Sequence, residues 1–114
     1  MPKVLISDKL SESAVNVFKK NKIETEYMPG LSNDELLKLI DKFDGLAIRS
    51  ATKVTEGVFN KAKNLKIVGR AGIGTDNIDK VAATKHGVVV MNTPYGNAVT
   101  TAEHAIALMM SLVR

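Results

Sequence analysis

Two arginines end apolar runs, Arg49 after GLAI and Arg70 after KIVG, and the second opens the turn Arg70-Ala71-Gly72-Ile73-Gly74. A guanidinium presents a planar fork of donors matched to a carboxylate or a phosphate. A glycine turn lets backbone N–H groups approach an anion closely, because no Cβ stands in the way. These residue types offer binding of a small anionic molecule, with Ser50, Gly72, Ile73, Gly74 and Asn97 beside the two arginines. The competing use of each arginine is an ion pair with a neighbour such as Asp8 or Asp76.

The glycine turn also invites comparison with a dinucleotide-phosphate loop. Gly72 and Gly74 are followed by Asn77 where the third glycine of such a loop would allow close helix packing. Asp76 and Asp79 stand where a pyrophosphate would approach the next helix, and no acidic residue ends the fifth apolar run to take a ribose. The turn is therefore read as a binder of a small carboxylate. A flavin site would want a small, hydroxyl-rich loop after the first strand, but DKLSES carries Asp8 and Glu12; a phospho-receiver would want an aspartate where Arg49 stands. Without cysteine, and with His86 and His104 as the two histidines, no thiolate or histidine-cluster metal site is expected.

The elements that must position these groups are short. Candidate strands are VLIS (4–7), IETEY (23–27), GLAIR (45–49), LKIVG (65–69) and GVVVM (87–91), mostly apolar on successive residues, as suits strands covered on both faces. Between them AVNVF repeats at helical spacing, SNDELLKLI opens with a Ser32 and Glu35 capping box, EGVFNKA forms a third helix, and VAATKHG a fourth that Gly87 can end. The pattern implies an α/β fold: a flavodoxin-like open parallel five-stranded sheet with helices on both faces. In such sheets ligands sit outside the carboxyl ends of the strands, where both arginines fall.

The chain of 114 residues, 45% apolar, suffices for one core. Its net charge of +4 is spread along the chain, without the basic stripe or stacking aromatics of a nucleic-acid surface. No apolar run approaches the length of a bilayer span, and the first residues lack a signal-peptide pattern, so neither nucleic acid nor membrane is an expected partner and a cytoplasmic location is expected. TTAEHAIALMMSLVR (100–114) starts with a capping box of Thr100 and Glu103 and is apolar on nearly every side. Such a helix must be covered. It is expected either to lead into further chain or to be buried between copies in a homo-oligomer.

The segments IRSATKVT (48–55), IVGRAGIGTDNID (67–79) and NTPYGNAVTTAEHAIALMM (92–110) resemble the N-terminal half of D-2-hydroxyacid dehydrogenases, in order and over essentially the whole chain. Within that family the text is most similar to members that act on a phosphorylated three-carbon hydroxy acid. The resemblance implies a substrate-binding domain over residues 1–97, with 98–114 the start of a crossover helix toward an NAD-binding domain outside this chain. It implies substrate contacts at Arg49, Ser50, Arg70, Gly72, Ile73, Gly74 and Asn97, and NAD contacts at Ile73, Asn97 and Thr101. Two arginines suit a substrate with two anionic groups. The family's hydride-transfer arginine, glutamate and histidine belong to the later domain, so no catalytic residue is expected here. His104 is expected to be a packing or interface residue. The reading from another class is a free-standing small-anion binding or assembly module; relatives that act on glyoxylate, hydroxypyruvate or lactate share the glycine turn.

Overall fold

In the computed structural model, which describes residues 3–9, 12–20, 22–49, 51–70 and 76–92, each of the five apolar runs contributes a strand. These are β1 (Lys3–Ile6), β2 (Glu24–Tyr27), β3 (Gly45–Ile48), β4 (Ile67–Arg70) and β5 (Val89–Asn92). They form one sheet in the order β2-β1-β3-β4-β5, and every pairing is parallel. This is the flavodoxin-like order, with its switch point between β1 and β3.

Strand ends differ from the sequence reading by one or two residues. Arg70, expected just beyond its strand, is the last residue of β4 and pairs in register with Ile48. Leu65 precedes β4 and is buried by packing. The two edge strands also depart from the expectation of strands covered on both faces, since Glu24, Glu26 and Tyr27 of β2 are exposed and no residue of β5 is fully buried.

Side chains alternate across the sheet, as the two-residue strand repeat requires. Leu5, Leu46, Ile48 and Val68 join one core cluster with Leu36, Ile40, Val58, Phe59, Ala82 and Ala83. Those partners come from α2 (Asn33–Leu39) with its 3₁₀ continuation Ile40–Lys42, α3 (Glu56–Lys61) and α4 (Lys80–Lys85). Val4, Ile6, Ala47 and Ile67 face the other way and pack with Phe18 of α1 (Glu12–Lys20) and with Ile23. Burying one such Val, Leu, Ile or Phe side chain stabilises by about 1.5–3 kcal/mol, which makes the sheet a stiff platform for the loops at its carboxyl edge.

Helix ends follow from local chemistry. The Ser32 hydroxyl accepts from the Glu35 amide at 3.2 Å, and Glu35 Oε1 accepts from the Ser32 amide at 3.2 Å, the reciprocal box expected at the start of α2. α4 ends at Gly87, whose φ of 69° is left-handed. There the Gly87 amide donates to Thr84 O at 3.1 Å and the Val88 amide to Ala83 O at 2.9 Å, the bond pair of a Schellman cap. Ser50, the turn at 71–75 and the expected crossover helix at 98–114, with its self-association, lie outside the described residues.

Candidate functional site

The switch point between β1 and β3 is filled from within. Asp8 follows β1 and is buried, and its Oδ2 accepts from the amides of Arg49 at 2.7 Å and Thr52 at 3.0 Å. Its Oδ1 accepts from the Thr52 hydroxyl at 2.6 Å, which also lies 2.9 Å from the Ser7 hydroxyl. A buried carboxylate needs such donors to offset its lost hydration.

The arginines stand at adjacent strand ends, since Arg70 pairs with Ile48 and Arg49 follows it. Arg49 is half-buried, and its Nη1 donates to the Lys9 carbonyl at 3.2 Å. The Arg70 side chain is 12% exposed. Its Nη1 donates to Asn77 Oδ1 at 2.7 Å and to Asp76 Oδ1 at 2.9 Å. The ion pair anticipated with Asp76 therefore exists, but it engages one nitrogen of the fork. Buried Arg70 Nε meets no acceptor among the described residues. The hydrogen bond from Arg70 first, then the Asp76 amide and the Arg70 charge, hold the Asp76 carboxyl below its ordinary value.

Asn77 joins the two loops. Its Nδ2 donates to the carbonyls of Arg49 at 2.8 Å and Thr52 at 2.6 Å, while its Oδ1 serves Arg70. One position on, buried Val54 and Ile78 form a parallel bridge, with Val54 N donating to Asn77 O and Asp79 N to Val54 O, each at 2.8 Å. The chain segments after β3 and β4 are thus tied at both ends.

A pyrophosphate finds no free helix terminus after the glycine turn. Asp79 is the N-cap of α4, and its carboxylate accepts from the Ala82 amide at 3.0 Å, so the helix start already holds a negative charge. The nearby cleft of ≈ 440 Å³ has Asp76 and Asp79 in its wall with Lys53 and Asn77. A second cleft, of ≈ 300 Å³, runs from Leu31 and Asn33 to Thr52 and Lys53. Neither is lined by Arg49 or Arg70.

Of the residues expected at the site, the structure describes Arg49 and Arg70, and it brings their strand ends together. Ser50, Gly72, Ile73, Gly74, Asn97 and Thr101 lie outside the described residues. Sequence reasoning gave no site role to Asp8, Thr52 or Asn77. A usable signal was their location, as polar residues just beyond strands at the carboxyl edge. Among the described residues no group of acidic or histidine side chains could hold a metal ion, and no helix is long and apolar enough to cross a membrane.

Arg49 and Arg70 thus stand at the carboxyl edge of a 2-1-3-4-5 parallel sheet. The chain belongs to the D-isomer specific 2-hydroxyacid dehydrogenases, matching the family's catalytic domain over residues 4–111. It is 50% identical over 112 residues to the D-3-phosphoglycerate dehydrogenase of Archaeoglobus fulgidus, an alignment covering 98% of this chain and 21% of that protein. Among solved structures, the PH0520 protein of Pyrococcus horikoshii matches with a TM-score of 0.76 and 36% identity, covering 79% of this chain and 27% of that one. The NAD+-bound 3-phosphoglycerate dehydrogenase of Entamoeba histolytica matches with a TM-score of 0.73 and 29% identity, covering 81% and 32%. The chain thus spans about a fifth of the length of its Archaeoglobus relative.

Proposed function

We propose that this chain is the substrate-binding part of an NAD-dependent D-3-phosphoglycerate dehydrogenase, which oxidises D-3-phosphoglycerate to 3-phosphohydroxypyruvate at the entry to L-serine biosynthesis. The observation that carries the reading is the pair Arg49 and Arg70 at adjacent strand ends, with the Nε of Arg70 buried and without an acceptor among the described residues. A buried donor left unpaired costs about 1–3 kcal/mol, a loss that an oxygen of a bound anion offsets. Likeness to D-3-phosphoglycerate dehydrogenases supports the choice of substrate.

The residues of this chain bind and orient; they do not carry the proton or the hydride. One arginine meets each anionic end of the substrate, carboxylate and phosphate, and the backbone amides of Ile73 and Gly74 add donors to the carboxylate. NAD accepts the hydride when bound. Asp79 already caps the start of α4, which leaves no helix terminus there for its diphosphate, and by the family resemblance Ile73, Asn97 and Thr101 would contact the cofactor from the substrate side. The apolar segment at 100–114 serves as an interface in a homo-oligomer, and the protein works in the cytoplasm.

The test is an assay of the full-length enzyme with D-3-phosphoglycerate and with unphosphorylated D-2-hydroxy acids, including D-lactate and D-glycerate. The expected result is a kcat/KM for D-3-phosphoglycerate at least about tenfold higher, as one charge-assisted hydrogen bond provides. An equal or greater value for an unphosphorylated acid overturns the reading.

A further inference from the structure

We infer that Asn77 is a positioning residue that sets Arg49 and Arg70 as one clamp on the substrate, an inference that rests on the proposed role of the two arginines. Its amide has two ends that do different work. The donor end grips the carbonyls of Arg49 and Thr52 at 2.8 and 2.6 Å, and the acceptor end grips the guanidinium of Arg70 at 2.7 Å. Only this orientation of the amide works, because two carbonyls face the nitrogen and a cation faces the oxygen.

Asp76 cannot do the same. Its side chain is 91% exposed, and an ion pair open to solvent is screened and holds its partner weakly. Asn77 is half-buried and reaches a guanidinium that is itself mostly enclosed, so its bonds fix the plane of the fork. Nη1 is committed to that contact, while Nε meets no acceptor among the described residues and is the donor offered to the anion. A glycine at position 77, as a dinucleotide-binding turn would have, could form none of the three side-chain bonds.

Because Asn77 acts through the two arginines, its loss should weaken substrate binding and spare the chemical step. The test compares Asn77→Ala and the isosteric Asn77→Asp with Arg49→Ala and Arg70→Ala in the full-length enzyme. Asn77→Asp keeps the acceptor for Arg70 but turns a carboxylate oxygen toward two carbonyls, and it carries the test if Asn77→Ala fails to fold. The expected result is a KM for D-3-phosphoglycerate raised about tenfold in both Asn77 variants, with kcat within about threefold and an unchanged dissociation constant for NADH, measured by fluorescence titration. A lowered melting temperature or kcat with KM unchanged makes Asn77 a loop brace only and overturns the inference. A raised KM in the arginine variants with none in the Asn77 variants overturns it too, while leaving the arginines in place. If the arginine variants also keep their KM, the reading of the site falls, and this inference with it.

Discussion

The carboxylate of Asp8 receives the amide of Arg49 at 2.7 Å across 41 positions of sequence, so the second residue after β1 fixes where β3 releases its arginine. Thr52 adds an amide and a hydroxyl to the same carboxylate. Asp8→Ala should therefore destabilise the fold by about 3 kcal/mol, because three donors lose their acceptor in a buried place. Asp8→Asn should cost about 1 kcal/mol, since its oxygen still serves both amides and its NH₂ can donate to the Thr52 hydroxyl. Urea unfolding of both variants checks the order, with Ala the worse.

On the proposed reading the arginines act on substrate rather than on cofactor. In the full-length enzyme Arg49→Ala and Arg70→Ala should each weaken D-3-phosphoglycerate binding by about ten- to a hundredfold, the value of a charge-assisted bond of roughly 1.5–3 kcal/mol. NAD affinity should stay nearly constant. Arg70→Lys should not restore binding, because an ammonium cannot contact Asn77 and a ligand anion through a planar fork. Substrate and cofactor titrations of each variant separate the two effects.

Assayed alone with NAD and D-3-phosphoglycerate, the 114-residue chain should produce no NADH above background. The family resemblance puts the hydride-transfer arginine, glutamate and histidine outside these residues. NADH formation that follows the purified chain through successive columns would contradict this.

Gly87 stands in the left-handed region at φ 69°, where a Cβ would meet no atom within 4 Å. Strain, not crowding, therefore decides the outcome of Gly87→Ala: a loss of about 1–2 kcal/mol from the end of α4. Thermal unfolding gives the number.

Acid should loosen the start of α2. Glu35 has its carboxyl held below the ordinary value, first by the Ser32 amide and next by the Ser32 hydroxyl. Since the folded value lies below the unfolded one, the associated stability is complete above the ordinary glutamate range and is lost as pH falls through the depressed value. The Ser32 amide signal should follow that titration in NMR spectra. Ser32→Ala should remove the hydroxyl's share and move the Glu35 midpoint upward.

What could be read from the sequence was local. The Ser32 and Glu35 box needs a spacing of three residues, and its bonds form within one turn. The sheet was legible because its central parallel strands are buried on both faces, which leaves unbroken apolar runs such as GLAI and IVG. The candidate arginines were legible because they end those runs. Their supports were not. Asp8 was read as an obstacle to flavin and Asn77 as a glycine gone astray, yet both bind groups more than 25 positions away. No short-range pattern marks such a bond, since register and crossover order decide which loops meet.

The two borders of the sheet carry different electrostatic guards. β2 ends one side with Glu24 and Glu26 exposed, the latter paired with Lys3 of β1 at 3.4 Å, so two copies meeting along that border bring like charges together. β5 ends the other side with the sequence VVMN and has Val89 59% exposed. Among the described residues the β5 border carries no such charge, and a lysine at position 89 would supply one.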